Sequence, residues 1–298
     1  MALTVGFLGM GRMGSRIAPN IARAGFPLIV YNRTRSQAAD VAGETDASVG
    51  ETPAEVARAA DVVITMLADG PAVEAVYEGP DGVLAGLGPG TVAVDMSTVG
   101  PGFVVSLGER VRATGATMVD SPVSGSVATA EAATLMLMVG GDEADVARVR
   151  PVLESVGRPV IHVGPPGAGA AMKLAVNAMI FAINQSLSES LVLAERAGIA
   201  RANAYEVIEN SAAAAPVVHY RRPVFEHPGE LPPSFTLDLA AKDLRLILEL
   251  AAKVGAPMPQ SERNLQVIED AVAANRGGQD LGELAEFLRS TAVNGRPA

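Results

Sequence analysis

The stretch Val5-Gly6-Phe7-Leu8-Gly9-Met10-Gly11-Arg12-Met13-Gly14 decides the fold of this chain. An apolar run of strand length leads directly into a GxGxxG motif, and a helical pattern follows. In that context Gly9 permits a tight turn, Gly11 lets the backbone approach a pyrophosphate, and Gly14 allows close packing of helix on strand. The start of the helix offers N–H groups to phosphate oxygens. The motif alone is weak and could be a glycine turn without a ligand, but strand, loop and helix together predict dinucleotide binding.

Short apolar runs alternate with helical stretches through the first half of the chain. The predicted strands cover residues 4–9, 28–31, 62–67, 91–95 and 135–139, and the predicted helices cover residues 13–24 and 54–60. Continuous apolar runs between turn or charged residues are typical of strands that are buried on both faces. The alternation predicts an α/β Rossmann domain over residues 1–164, with a doubly wound, mainly parallel sheet.

The second half of the chain has a different pattern, and no strand is predicted from Gly167 onward. Residues 170–197 form one long helical pattern rich in Ala, Leu, Met and Ile, with Gly198 as its stop. Further helices are predicted at residues 201–212, 236–254, 260–274 and 281–291. The sequence therefore predicts an all-helical C-terminal domain over residues 165–298, which the long helix joins to the first domain.

The composition excludes several classes of function. The 298 residues include no cysteine, which excludes disulfides, zinc–thiolate sites and cysteine nucleophiles. The three histidines are too scattered to suggest a metal site. A net charge of −10 argues against a nucleic-acid partner. No long apolar run escapes interruption by charge or glycine, and the first one is too short for a signal peptide. We therefore expect no membrane span and a cytoplasmic location.

The residues after the second predicted strand, Asn32-Arg33-Thr34-Arg35, bear on the choice of cofactor. An NAD site usually has Asp or Glu here to accept hydrogen bonds from the ribose hydroxyls, but this chain has no acidic residue before Asp40. A guanidinium and a hydroxyl beside Asn32 instead suit a 2′-phosphate. The alternative is a solvated basic turn. The pattern predicts that NADP(H) is preferred over NAD(H).

Lysine is rare in this chain, which has twenty arginines and three lysines: Lys173, Lys242 and Lys253. Lys173 lies near the start of the long helix, and Asn177 follows four residues later, so the two share one helix face. A partly desolvated lysine can exchange a proton near neutral pH. The alternative is a lysine that extends to solvent from the helix start, with Asn177 as a satisfied core amide. The residues alone leave both interpretations open.

Four motifs, in order, resemble those of the β-hydroxyacid dehydrogenases, which include 3-hydroxyisobutyrate dehydrogenase, tartronate semialdehyde reductase and the glyoxylate/succinic semialdehyde reductases. They are residues 6–20 around the glycines, residues 120–126 with the sequence Asp-Ser-Pro-Val-Ser-Gly-Ser, residues 167–177, and Phe235 with Lys242-Asp243-Leu244. The match covers essentially the whole chain. Four motifs in this order are far more specific than any one of them.

The resemblance implies hydride transfer between NADP(H) and a small carboxylated aldehyde or hydroxy acid. Lys173 would protonate the carbonyl oxygen, or accept the proton in the reverse direction, and Asn177 would position the substrate beside it. The implied substrate-binding residues are Thr98, Ser124, Gly125, Ser126, Phe235 and Asp243. The implied cofactor-binding residues are Gly9, Met10, Gly11, Arg12, Met13, Gly14, Asn32, Arg33, Thr34, Met66, Leu67, Thr98 and Lys242.

Within the family, residues 96–99, 124–126, 130–131, 135 and 232–235 most resemble the glyoxylate/succinic semialdehyde reductases. The chain departs from that branch at Val127, Thr129 and Ala133, where the branch tends to have Lys, Pro and Gly. We also expect a homodimer or homotetramer, because the helical half is mostly apolar and large apolar surfaces associate.

Two alternative functions remain open at this stage. An imine reductase of the same architecture generally replaces the catalytic lysine with Asp or Tyr, and Lys173 argues against it. A non-catalytic NADP-binding module would lack the acid–base pair, which is intact here. The related 6-phosphogluconate dehydrogenases have a larger helical domain than 298 residues allow.

Overall fold

A computed structural model describes residues 2–291 of the chain. The end of the predicted helical domain, residues 292–298, therefore lies outside the described residues. The chain divides into two compact units, Met1–Leu174 and Ala175–Ala298. The domain boundary that the sequence places after residue 164 stays a prediction.

The first unit is built on one sheet, in which nine strands are described. In chain order they are β1 (Val5–Leu8), β2 (Leu28–Tyr31), β3 (Ser48–Val49), β4 (Val62–Thr65), β5 (Val92–Asp95), β6 (Thr117–Asp120), β7 (Val123–Ser124), β8 (Met136–Gly140) and β9 (Val160–Gly164). Their order is β3-β2-β1-β4-β5-β6-β8-β7, and β9 pairs with β8. The first six strands pair in parallel, whereas β8 is antiparallel to β6 and β7. The doubly wound, mainly parallel sheet is confirmed.

Helices cover both faces of this sheet. They are α1 (Gly14–Arg23), α2 (Arg35–Gly43), α3 (Pro53–Ala59), α4 (Gly70–Tyr77), α5 (Val83–Gly86), α6 (Pro101–Ala113), α7 (Val127–Glu131) and α8 (Glu143–Val156). Neighbouring strand residues such as Phe7 and Leu8 belong to two different apolar clusters. Successive side chains on a strand point to opposite faces, so each cluster fills one face. This two-sided burial explains why the strands are apolar throughout.

The second unit is helical. The long helix α9 (Ala168–Arg196) begins in the first unit and continues into the second. It is followed by α10 (Arg201–Glu209), α11 (Pro216–Glu226), α12 (Leu237–Val254), α13 (Pro259–Ala271) and α14 (Leu284–Ser290), with a π-helical turn at Val272–Arg276 and a 3₁₀ turn at Leu281–Glu283. Among residues 175–291 no strand occurs, although Thr236 and Asp280 form an isolated bridge. The predicted all-helical second half is confirmed.

Within the second unit, two helical segments differ from the sequence-based prediction. Helix α11 was not predicted, and it contains two prolines, Pro216 and Pro223. Pro216 occupies the first turn, where a missing N–H is tolerated. The helix predicted at residues 260–274 is α-helical only to Ala271 and continues as the π-helical turn, in which Asn275 takes a left-handed backbone conformation with φ +62°.

The turn after α7 contains a strained residue. Ala133 has φ +54°, a conformation in which the Cβ atom of an L-residue crowds its neighbouring carbonyl oxygen.

We predict that Ala133→Gly raises the free energy of unfolding by about 0.5–1 kcal/mol, because glycine has no Cβ to crowd the turn and loses only part of that gain to backbone entropy. Ala132→Gly is the matched control. Ala132 has φ −79°, so glycine should lower stability there. Urea unfolding of both variants measures the difference. An Ala133→Gly protein less stable than the wild type would contradict the assignment of strain to this turn.

Candidate active site

The glycine loop between β1 and α1 has the geometry that a pyrophosphate requires. Gly9 has φ +105°, and a Cβ atom there would collide with the carbonyl oxygen of Met66. A Cβ atom at Gly14 would collide with the carbonyl oxygen of Gly9. At Gly11, in contrast, an added Cβ meets no atom within 4 Å. Two glycines therefore shape the turn, and the third faces open space beside the start of a helix, so the loop fits a dinucleotide.

Asn32 connects this loop to the end of β2. Its Oδ1 accepts a hydrogen bond from the N–H of Met10 at 3.0 Å, and its Nδ2 donates to Thr34 O at 3.0 Å and to Gln37 Oε1 at 2.7 Å. The polar atoms of the Asn32 side chain are thus engaged within the protein. Arg33 and Thr34 are exposed.

The guanidinium of Arg35 lies against Glu51, with 2.5 Å between Nη1 and Oε2. Both side chains are exposed. Of the two arginines at the end of β2, Arg33 is therefore the better candidate for a ligand.

A buried carboxylate holds the loops at the ends of β4 and β5. Asp95 Oδ1 accepts hydrogen bonds from Thr65 Oγ1 at 2.8 Å and Ser97 Oγ at 2.7 Å, and Ser97 Oγ accepts from the N–H of Leu67 at 2.9 Å. Burial raises the pKa of Asp95, and the hydrogen bonds from Ser97 and Thr65 partly oppose this rise. The predicted cofactor residues in these loops are Met66, Leu67 and Thr98.

The segment that resembles a substrate site follows β6. Ser124 is half-buried, and Gly125 is exposed with φ +152°. Ser126 caps α7: its N–H donates to Thr129 Oγ1 at 2.7 Å, and its hydroxyl accepts from the N–H of Thr129 at 3.3 Å. Because the Ser126 N–H is engaged, Ser124 and Gly125 are the stronger candidates to bind a substrate carboxylate.

Asp120, which begins this segment, is buried and carries a perturbed carboxyl group. Its two oxygens accept hydrogen bonds from the N–H groups of Gly167 and Ala170. Burial raises the pKa of Asp120 to about 6, although these two N–H donors oppose the rise, and the charge of Asp95 on the neighbouring strand adds to it.

Lys173 and Asn177 lie one turn apart on α9. Lys173 is half-buried and Asn177 is buried. The Nδ2 of Asn177 donates to Asp243 Oδ2 at 2.8 Å, and the Nζ of Lys242 lies 2.9 Å from Asp243 Oδ1. Asp243 therefore fixes the orientation of the Asn177 amide and also binds a cation. The second unit thus brings together three of the predicted residues: Asn177, Lys242 and Asp243.

Comparison with known proteins gives the family. Residues 4–164 match the model described as the NAD binding domain of 6-phosphogluconate dehydrogenase, and residues 167–288 match that of NAD-binding of NADP-dependent 3-hydroxyisobutyrate dehydrogenase. The 2-(hydroxymethyl)glutarate dehydrogenase of Eubacterium barkeri is 34% identical over 99% of this chain and 98% of its own. This chain belongs to the β-hydroxyacid dehydrogenase family. It is an oxidoreductase with a nicotinamide cofactor, as the four motifs predicted.

Other members of the family are similar over almost the whole chain. Glyoxylate/succinic semialdehyde reductase 1 of Arabidopsis thaliana is 32% identical over 96% of this chain and 99% of its own. The solved structure of Mycobacterium tuberculosis 3-hydroxyisobutyrate dehydrogenase with L-serine is similar to this chain with a TM-score of 0.83 and 33% sequence identity. The similarity covers 97% of this chain and 100% of that one.

Within residues 2–291, no helix is long and apolar enough to cross a membrane.

Sequence reasoning missed a buried carboxylate of the second unit, Asp280, that supports a predicted site residue. Asp280 Oδ2 accepts hydrogen bonds from the N–H groups of Ser234 and Phe235, at 2.7 and 3.2 Å, and its Oδ1 pairs with Arg221. Burial raises the pKa of Asp280, but Arg221 and the backbone N–H donors outweigh it and hold the pKa below its usual range. The ring of Phe235, held in this way, lies 6.0 Å from that of Phe181.

Two further polar residues on α9, Asn184 and Ser188, are structural. Asn184 Nδ2 donates to Leu281 O at 3.1 Å, and Ser188 Oγ donates to Asn184 O at 2.7 Å. Both residues are buried. Asn184 links α9 to the 3₁₀ turn at Leu281–Glu283, whereas Ser188 binds a backbone carbonyl of α9 itself.

The glycine loop makes a direct prediction about cofactor binding. Gly11→Ala should keep the free energy of unfolding within about 0.5 kcal/mol of the wild type, since the methyl group enters open space, but should weaken cofactor binding at least tenfold. Gly14→Ala, the comparison variant, should lose stability, because its methyl group meets the Gly9 carbonyl oxygen. Titration calorimetry and urea unfolding measure the two effects. Unchanged cofactor affinity in Gly11→Ala would show that the cofactor does not bind at this loop.

Proposed function

We propose that this enzyme uses NADP(H) to reduce a small carboxylated aldehyde, or to oxidise the corresponding hydroxy acid, with Lys173 as the general acid or base. The observation that carries the proposal is the placement of Lys173. It is half-buried on α9, one turn before Asn177, whose amide is oriented by the buried Asp243. An ammonium group can donate the proton that carbonyl reduction requires, and a fixed amide beside it can orient the reacting group.

The chemistry that the cofactor supplies is a hydride, given to or taken from the reacting carbon. As an ammonium, Lys173 donates its proton to the carbonyl oxygen, where negative charge develops, and the product is an alcohol. In the oxidation direction the neutral amine accepts the hydroxyl proton. Asn177 is proposed to hold the substrate in place during this transfer.

The substrate is proposed to carry a carboxylate. The similar proteins reported above are named for hydroxymethylglutarate, glyoxylate or succinic semialdehyde, and 3-hydroxyisobutyrate, all of which are small carboxylated compounds. In this chain Ser124 and Gly125 are proposed to donate hydrogen bonds to the carboxylate. Residues 120–131 include no Lys or Arg, so these donors bind it without an ion pair from the same segment. A semialdehyde of the succinic or glyoxylate type is the proposed substrate.

The preference for NADP(H) is proposed from the end of β2. Asn32 stands where an NAD site would have an acidic residue, and its side chain holds the Met10 backbone. Arg33 and Thr34 are exposed beside it and are proposed to bind the 2′-phosphate. The cytoplasmic location and the homodimer or homotetramer stay predictions.

The role of Lys173 can be tested against a second lysine. Lys173→Ala should lower kcat for succinic semialdehyde about 10²–10⁴-fold, the range that a general acid contributes. The affinity for NADPH should stay within twofold. Lys253→Ala is the control, because Lys253 is exposed and paired with Glu249 on the outside of α12. If the Lys173 variant kept near-normal kcat, another group would have to donate the proton.

The role of Arg33 can be tested through cofactor choice. Arg33→Ala should lower the ratio of kcat/KM for NADPH to that for NADH about tenfold or more, since a hydrogen bond to a charged group contributes about 1.5–3 kcal/mol. Arg23→Ala, an exposed arginine at the end of α1, should leave the ratio unchanged. A ratio that does not change in the Arg33 variant would argue that the 2′-phosphate binds elsewhere.

A further inference from the structure

Asp120 binds the beginning of α9 with both carboxylate oxygens. It is the last residue of β6 and is 1% exposed. Oδ1 accepts from the N–H of Gly167 at 2.8 Å, and Oδ2 accepts from the N–H of Ala170 at 2.7 Å. The first N–H groups of a helix have no partner within the helix. Here a carboxylate from a strand, 47 and 50 residues earlier in the chain, provides that partner.

Two glycines make room for this contact. A Cβ atom at Gly140, on β8, would lie 2.5 Å from Oδ1 of Asp120. A Cβ atom at Gly169, in the first turn of α9, would lie 2.8 Å from Oδ2. Both distances are shorter than a side chain allows. The backbone of α9 can therefore approach the end of β6 closely, with the carboxylate enclosed between them.

The turn of α9 whose N–H groups Asp120 binds lies directly before Lys173. Ala170 and Lys173 are three residues apart, which is about 4.5 Å along a helix axis. Helical side chains lean toward the N-terminus of their helix, so the Lys173 side chain extends back toward the turn that Asp120 binds. A shift of that turn would move the ammonium group with it. A misplacement of about 1 Å can lower a rate about 10²-fold.

A local cap would not have the same effect. A side chain next to α9 in sequence could satisfy the same N–H groups, but it would leave the helix start unattached to the sheet. Asp120 instead attaches it to β6, and the chain continues from Asp120 directly into the substrate segment, residues 121–126. The start of the helix that carries Lys173 and the start of the substrate segment are thus fixed by one side chain.

Burying the charged Asp120 carboxylate at this position is energetically unfavourable. Burial raises the pKa of Asp120 to about 6, so at neutral pH a buried charge is maintained that folding disfavours. Because the folded protein binds this proton more readily than the unfolded chain, the contribution of Asp120 to stability is present at low pH and is lost as the pH rises through about 6. The acidic group facing it is Asp95, in register with Asp120 on β5.

We propose that Asp120 is a positioning residue for proton transfer: its carboxylate fixes the first turn of α9 on the end of β6 and so sets the place of the Lys173 ammonium group beside the substrate segment. This inference rests on the proposed function of Lys173. Asp120 itself does not exchange the proton.

Asp120→Asn and Asp120→Ala test the proposal. Asn keeps the size of the side chain and one acceptor oxygen, whereas Ala removes both. We expect kcat per NADPH-binding site to fall at least tenfold in Asp120→Asn and further in Asp120→Ala, with the dissociation constant of NADPH within twofold of the wild type. The solvent deuterium isotope effect on kcat should rise, because the proton transfer becomes slower. A role in stability alone would lower the amount of folded enzyme but not kcat per binding site, and that result would overturn the proposal.

Asp61→Asn is the matched control. The carboxylate of Asp61 also accepts a backbone N–H, that of Thr4 at 2.8 Å, but it precedes β4 at the opposite end of the strands. The kcat and the solvent deuterium isotope effect of the Asp61→Asn enzyme should equal those of the wild type. Equal losses of kcat in the Asp61 and Asp120 variants would show a general effect of removing a carboxylate from this unit and would overturn the proposal.

If the Asp120 variants do not fold, a measurement on the wild-type enzyme tests the proposal instead. Amide hydrogen exchange in the first turn of α9 should be at least tenfold slower than in the first turn of α6, which has no side-chain cap. Equal exchange rates would overturn the proposal. If the wild type itself turned over no aldehyde or hydroxy acid, the proposed function would fail, whereas the exchange experiment would still report separately on the anchoring by Asp120.

Discussion

The structure of the first unit depends on which groups accept hydrogen bonds from the loops at the carboxyl ends of its parallel strands. Each strand ends in a loop whose N–H groups cannot all join the sheet, and these groups need partners. Asp95 and Asp120 lie side by side in register at the ends of β5 and β6, and each accepts hydrogen bonds from residues outside its own strand. Asp95 orders the loops after β4 and β5, and Asp120 orders the start of α9. These two groups therefore order the loops that carry the candidate cofactor residues Met66 and Leu67 and the helix turn that precedes the candidate proton donor Lys173.

The same arrangement explains the energetic character of the site. Burying a carboxylate is unfavourable unless it receives hydrogen bonds, and the pKa of both groups is raised, so their hydrogen bonds do not fully offset burial. Asp280 in the second unit shows the contrary balance, because the guanidinium of Arg221 and three backbone N–H donors hold its pKa low. Perturbed carboxyl groups are common at functional sites, where geometry is maintained against stability.

Much of the fold follows from short-range patterns. The apolar run at β1, the glycine motif and the following helix were predictable because a doubly buried strand and a phosphate-binding turn impose local constraints on residue type. Helix α11 was not predicted, although Pro216 lies in its first turn, where proline is tolerated, and Pro223 lies inside it. The short strands β3 and β7, of two residues each, carry no periodicity that a sequence could show.

The site was predictable in part for the same reason. The glycines and Lys173 occur in local motifs. The contacts of Asp120 with Gly167 and of Asp280 with Phe235 span 47 and 45 residues, so no local sequence pattern predicts them. A weaker signal existed: Asp95 and Asp120 each end an otherwise apolar strand. Asn32 was predicted as a cofactor residue from its position after β2, but residue type alone could not show that its side chain binds the Met10 backbone.

We propose that this chain is a Lys173-dependent reductase of carboxylated aldehydes. The most direct test is NADPH oxidation by the purified wild-type enzyme, followed by absorbance, with glyoxylate, succinic semialdehyde, methylmalonate semialdehyde and an uncharged cyclic imine as separate substrates. We expect turnover of at least one carboxylated aldehyde, faster with NADPH than with NADH, and little or none of the imine. Tight NADPH binding without turnover of any carboxylated aldehyde, or turnover of the imine alone, would contradict it.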